Sequence, residues 1–111
     1  MAFSAALSMK GDVGVITLTG ELDAASAPEF RADIESAVSQ GATKLALDMA
    51  ELSYMASAGL RALVFAKQKM GAQSDIYVIA AQPSVKETLE LTGFASSVIE
   101  LDSYDPVAIE G

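Results

Sequence analysis

Ser57 sits among small neighbours in Ala56-Ser57-Ala58-Gly59, so its hydroxyl is uncrowded and the backbone around it is approachable. Two compatible chemistries suit a serine that leads a helix. It can cap an orphan backbone N–H, which stabilises by about 1 kcal/mol. It can also accept a phosphate, because the free N–H groups and the positive end of the helix dipole stabilise an added anion. Acyl transfer fits poorly: a serine nucleophile needs a general base, and the 111-residue chain contains no His and no Cys. Their absence also removes disulfides and almost every zinc or haem site. Neither a G-x-x-x-x-G-K-[ST] loop nor a G-x-G-x-x-G turn is present, so a phosphate donor would have to be held by a partner.

Charge placement marks the same region. Leu52 to Ser74 contains Arg61, Lys67 and Lys69 but no Asp or Glu, although the chain has fifteen acidic residues against seven basic ones. Arg61 follows Ser57 by one helical turn, close enough to pair with a phosphate there. Lys67 and Lys69 read as a solvated face near a helix C-terminus, where cations are favourable anyway. Phe65 projects away from the apolar stripe of Leu60, Leu63, Val64 and Met70; it either packs under a neighbouring element or is exposed as a partner contact. Glu21 and Asp23 in Gly20-Glu21-Leu22-Asp23 share a strand face with no third ligand evident, and read as loop and interface residues rather than a metal site. No cofactor is implied.

A formal charge of −8 repels nucleic acid and anionic membranes. No apolar run approaches the ~20 residues that span a bilayer, and residues 1–9 lack the basic start of a secretory signal; the expectation is a cytoplasmic protein. With 51% hydrophobic residues the chain can offset its ordering entropy and fold as one domain over residues 1–111.

The elements follow from periodicity. Phe3 to Met9 and Val13 to Leu22 read as strands joined by a hairpin at Lys10-Gly11-Asp12. Ser26-Ala27-Pro28-Glu29 is a capping box that opens a helix carrying Phe30, Ile34 and Val38, ended by Gly41. Leu45, Leu47 and Met49 make a strand that should end at Asp48, with a turn at Ala50 to Tyr54. A helix from Ser57 to Gly71, a strand from Ile76 to Ala81, a second capping box at Ser84-Val85-Lys86-Glu87 with a helix to Gly93, and a strand from Val98 to Leu101 complete the series. The tail, Asp102 to Gly111, has room for one helical turn. Such alternation predicts an α/β fold: a mixed, mostly parallel sheet of about five strands with an antiparallel N-terminal edge strand and three to four helices. Function should then lie beyond the carboxyl ends of the parallel strands, where Asp23, Asp48 and the Met55-Ala56-Ser57-Ala58-Gly59 loop fall.

On these residues the sequence resembles the STAS domain family, and within it the stand-alone anti-sigma factor antagonists of bacteria. The likeness covers nearly the whole chain. It rests on Gly20-Glu21-Leu22-Asp23, Leu45-Ala46-Leu47-Asp48-Met49, Tyr54-Met55-Ala56-Ser57-Ala58-Gly59-Leu60, Pro83-Ser84-Val85-Lys86 and Leu91-Thr92-Gly93-Phe94 in that order. The resemblance implies that Ser57 is phosphorylated by an anti-sigma factor that is also a serine-protein kinase, and dephosphorylated by a PP2C-type serine phosphatase. It implies a binding module and no enzyme, with partner contacts at Glu21, Asp23, Met55, Ala56, Ser57, Ala58, Gly59 and Arg61. Ala56 replaces an acidic residue common in the family, which leaves the identity of the kinase open. Ala58 replaces a common second serine, so one hydroxyl remains to be modified. The alternative is a STAS adaptor that is never phosphorylated, in a transporter, lipid-trafficking or other signalling complex.

Overall fold

A computed structural model describes residues 2–71 and 73–111. Strand β1 (Ser4–Lys10) and strand β2 (Val13–Leu22) form the expected hairpin, paired antiparallel from Ser4↔Thr19 to Lys10↔Val13. Gly11, at φ +62°, takes the left-handed conformation that this two-residue reversal requires. Helix α1 (Ala27–Ser39), strand β3 (Lys44–Met55), helix α2 (Ser57–Met70), strand β4 (Asp75–Ile79) and helix α3 (Pro83–Leu91) follow. A 3-10 turn (Phe94–Ser97), strand β5 (Ile99–Leu101) and the short helix α4 (Pro106–Glu110) end the chain.

The five strands lie in chain order, β1-β2-β3-β4-β5, and every neighbour after the first pair is parallel, which is the fold class the alternation predicts. Each crossover moves one place in the same direction. With right-handed connections, α1, α2 and α3 therefore share one face of the sheet. Alternating residues divide accordingly. Leu45, Leu47, Met49, Ile76 and Val78 meet Phe30, Ile34, Leu63, Val85 and Leu89 in the main core, where burying each large side chain contributes roughly 1.5–3 kcal/mol. Val13, Ala46, Tyr77 and Ile79 face the other way and meet Ile109 of α4. That last helical turn is pinned by Lys44 Nζ donating to the Ile109 carbonyl at 2.7 Å and the Tyr77 hydroxyl to the Ala108 carbonyl at 3.2 Å.

Three local expectations are corrected. First, β3 does not end at Asp48. It continues to Met55 through the segment read as a turn, because irregular steps between Thr17 and Thr19 and between Gly20 and Glu21 let β2 follow it. Asp48 is instead where β4 departs, in register with Ile79. Gly20, at φ +91°, sits at one of these steps, and a Cβ there would come within 2.3 Å of the Ala2 carbonyl oxygen.

Second, neither capping box forms. Ser26 holds the N-cap position of α1, but its hydroxyl turns back to the preceding loop, and Glu29 accepts from the Ala5 amide of edge strand β1 at 3.2 Å. Such a contact occupies an edge donor that could otherwise pair with another strand. Helix α3 starts at Pro83 after Gln82, and the Ser84 hydroxyl donates to the Ser53 carbonyl at 3.0 Å. Third, of the expected stripe on α2, Leu63 is buried and Leu60 and Met70 pack half-buried against the core, but Val64 is 37% exposed, and the most buried positions beside Leu63 are the small residues Gly59, Ala62 and Ala66. Small residues there let α2 lie close to its neighbours.

Candidate functional site

The carboxyl ends of β2 and β3 are tied together, and this tie sets the position of Ser57. Leu22 and Met55 are register partners, and the Ala56 amide donates to the Leu22 carbonyl at 2.8 Å. Ala56, extended at ψ 174°, is therefore the N-cap of α2, and Ser57 is its first helical residue. The N-cap position expected for the serine is held by Ala56, which makes no side-chain cap hydrogen bond. Ser57 is exposed, and its hydroxyl takes part in none of the side-chain hydrogen bonds among the described residues. The Gly59 and Leu60 amides both donate to the Ala56 carbonyl, at 3.0 and 3.2 Å. The amides of Ser57 and Ala58 thus remain the outward donors of the first turn.

Two of the expected contact residues lie under this loop rather than on it. Met55 is 2% exposed, and Gly59 is buried. A Cβ at position 59 would meet Leu22 Cγ at 2.7 Å and Met55 Cγ at 2.9 Å, so close approach, not backbone conformation, demands glycine. Ala56 and Ala58 are half-buried.

The loop after β2 is built differently. The Asp23 carboxylate accepts from the Ser26 amide at 3.1 Å, the Ser26 hydroxyl at 3.1 Å and the Ala25 amide at 3.0 Å. These donors, the Ser26 amide foremost, hold its pKa below the ordinary aspartate value. Asp23 lies just beyond the strand, so it does not share a strand face with Glu21 as the sequence suggested. Glu21 is exposed and in register with Tyr54, itself 49% exposed. Tyr54 is not singled out as a site residue in the sequence because its segment reads as a turn; the strand loses its alternation past Met49, with Leu52 and Met55 buried and the residues between them exposed. Among the described residues no group of three or more His, Cys, Asp or Glu residues is placed to hold a metal ion.

Arg61 is exposed and walls a groove of about 280 Å³ together with Arg31 of α1. The floor is Ala24, Ala27 and Pro28 on one side and Ala58 and Ala62 on the other. The Arg31 guanidinium lies 4.2 Å from the centre of the Phe65 ring, so Phe65 is half-buried between the helices with an arginine over its face. Arg31 could not be found in the sequence, because only the packing of α1 on α2 brings it here. Lys67 is not simply solvated: its ammonium donates to the Ser74 carbonyl. Among the described residues no helix is long and apolar enough to cross a membrane.

Comparison with known proteins follows this geometry. The sequence model described as the STAS domain matches residues 4–107. BtrV of Bordetella bronchiseptica, assigned by name to the anti-sigma factor antagonists, is 34% identical over 83 residues, covering 74% of this chain and 72% of that one. The crystal structure of an anti-sigma factor antagonist from Mycobacterium paratuberculosis superposes with a TM-score of 0.87 at 22% identity, over 99% of this chain and 96% of that one. The anti-sigma factor antagonist SpoIIAA in its unphosphorylated form gives 0.81 at 23% identity, over 95% and 92%. At such identities the two structures establish the fold alone.

Proposed function

Because the chain belongs to the STAS domain family, we propose that it is an anti-sigma factor antagonist working by partner switching, with Ser57 as the switched residue. The unmodified protein binds an anti-sigma factor that is also a serine kinase, phosphorylation of Ser57 releases it, and a PP2C-type phosphatase restores binding. The single observation that carries this reading is the exposed Ser57 hydroxyl, held at the first residue of α2 with no competing hydrogen bond among the described residues. The names of BtrV and SpoIIAA point the same way, and the description of SpoIIAA as unphosphorylated makes phosphorylation a state of that protein.

The chemistry is consistent. Phosphate adds about −1.5 to −2 charge to a surface that a partner must desolvate. The first-turn amides and Arg61 stabilise that charge in place, so the modified loop persists instead of unfolding. Glu21, Asp23, Ala56, Ser57, Ala58 and Arg61 form the contact surface, while Met55 and Gly59 support it from below.

Incubation with ATP and the cognate kinase, followed by mass spectrometry, tests the reading. A phosphate is expected on Ser57 alone and none on the Ser57→Ala variant; Ser57→Asp should bind the partner more weakly than wild type. A chain that binds its partner yet stays unmodified at Ser57 would favour the adaptor role instead.

A further inference from the structure

Arg31 and Arg61 stand on different helices, yet they wall one groove whose lining includes no carboxylate. That is unexpected in a chain with fifteen acidic residues and seven basic ones. Two guanidinium-bearing side chains lining one groove make it electropositive, which favours an anionic occupant. Two other cavities differ: one is lined by Lys86 together with Glu90, Glu100 and Asp102, and another by Lys69 together with Glu35.

From this we infer that the groove is a docking site for a carboxylate side chain of a protein partner, beside the Ser57 loop and sharing Arg61 with it. At about 280 Å³ the groove is large enough for one side chain. Position favours a carboxylate, because that is the anion an unmodified protein surface carries and the groove adjoins the Ser57 loop proposed to meet the partner. Beyond the two guanidiniums the lining is alanines and Pro28; the Ala27 amide is already bonded to the Asp23 carbonyl at 2.8 Å, and the Ala58 amide is the further donor at the Ser57 end. Each guanidinium fork can meet a carboxylate with two parallel N–H···O bonds. The Phe65 ring beneath Arg31 holds that guanidinium in place, which reduces the ordering cost of binding.

The site also deepens the switch, and this part rests on the proposed phosphorylation. A phosphate on Ser57 competes for Arg61, one turn away, so modification weakens the groove's hold on the partner's carboxylate as well as repelling it.

The test is an NMR titration of the full chain, following the Arg Nε–H signals and the Ala58 and Ala62 amides. Three probes are compared: an acetylated Ala-Glu-Glu-Ala amide peptide, its Ala-Gln-Gln-Ala counterpart, and inorganic phosphate. The acidic peptide is expected to give saturable millimolar shifts centred on Arg31 and Arg61. Its affinity should fall about tenfold in Arg31→Gln and recover in part in Arg31→Lys. It should also fall in a chain carrying phosphoserine installed at position 57. The inference is overturned by equal shifts with the neutral peptide, by phosphate saturating the two arginines while the acidic peptide does not, or by an unchanged affinity in a folded Arg31→Gln chain. The wild-type arms need no modification of Ser57, so their failure is distinct from failure of the switch.

Discussion

Ser26 and Ser57 open the helices that follow two adjacent parallel strands, but one hydroxyl is fully engaged and the other is not. Ser26 Oγ accepts from the Asp23 amide at 2.9 Å and shares its one proton between the Glu21 carbonyl at 3.0 Å and the Asp23 carboxylate at 3.1 Å, so it knots the loop that leads into α1. Ser57 Oγ caps nothing, since the preceding alanine occupies the N-cap position and an interstrand amide bond fixes the loop instead. The same residue type thus serves structure in one loop and stays available for chemistry in the next. A modifiable residue has to be dispensable to the fold, and rigidity must come from elsewhere: here from Gly59, Met55 and Leu22 beneath it.

The largest effect should come from disturbing that support. Gly59→Val places branched carbon where even a Cβ meets Leu22 and Met55 at under 3 Å, and urea unfolding should show a loss of about 2–3 kcal/mol. A smaller loss would mean that the Ser57 loop can yield, and that its rigidity is not borrowed from the core. Ser26→Ala should follow at about 1 kcal/mol, because the Asp23 amide and Glu21 carbonyl lose a shared partner.

Asp23 supplies a pH test of the knotted loop. Its folded pKa is depressed by donors from Ser26 and Ala25, so its contribution is present above the unfolded aspartate value and fades as pH falls through the lower folded value. Wild type should therefore exceed Asp23→Asn in melting temperature at neutral pH. The gap should close on acidification below the ordinary aspartate range. A gap independent of pH would place the role of Asp23 in shape rather than charge. Ser57→Ala should have the smallest effect, within about 0.5 kcal/mol of wild type, since no hydrogen bond is lost. A loss as large as that of Ser26→Ala would erase the contrast between the two loops.

The contrast also explains what could be read from the chain. Periodicity placed the hairpin, the alternating strands and helices and the position of Ser57 at the head of α2, because those depend on neighbours a few residues apart. The length of β3 did not follow, since Ala50 to Tyr54 looks polar and turn-like until β2 is laid beside it with its irregular steps. The capping boxes misled for a similar reason. Ser26, Glu29 and Ser84 have local partners within reach, but Glu21, Ala5 and Ser53 compete for them once the chain is folded. The close-packed inner face of α2 was equally hidden: Gly59, Ala62 and Ala66 carry little hydropathy, and only the proximity of other elements shows why they are small. Arg31 belongs to the site through tertiary packing alone.

The most direct measurement compares the anti-sigma partner's affinity for two preparations of the whole chain, one unmodified and one with phosphoserine installed at position 57, with circular dichroism confirming the same fold in both. Phosphate is expected to weaken binding more than a hundredfold, equivalent to ~3 kcal/mol at the interface. Equal affinity for the two folded preparations would contradict the proposal that Ser57 is the switch.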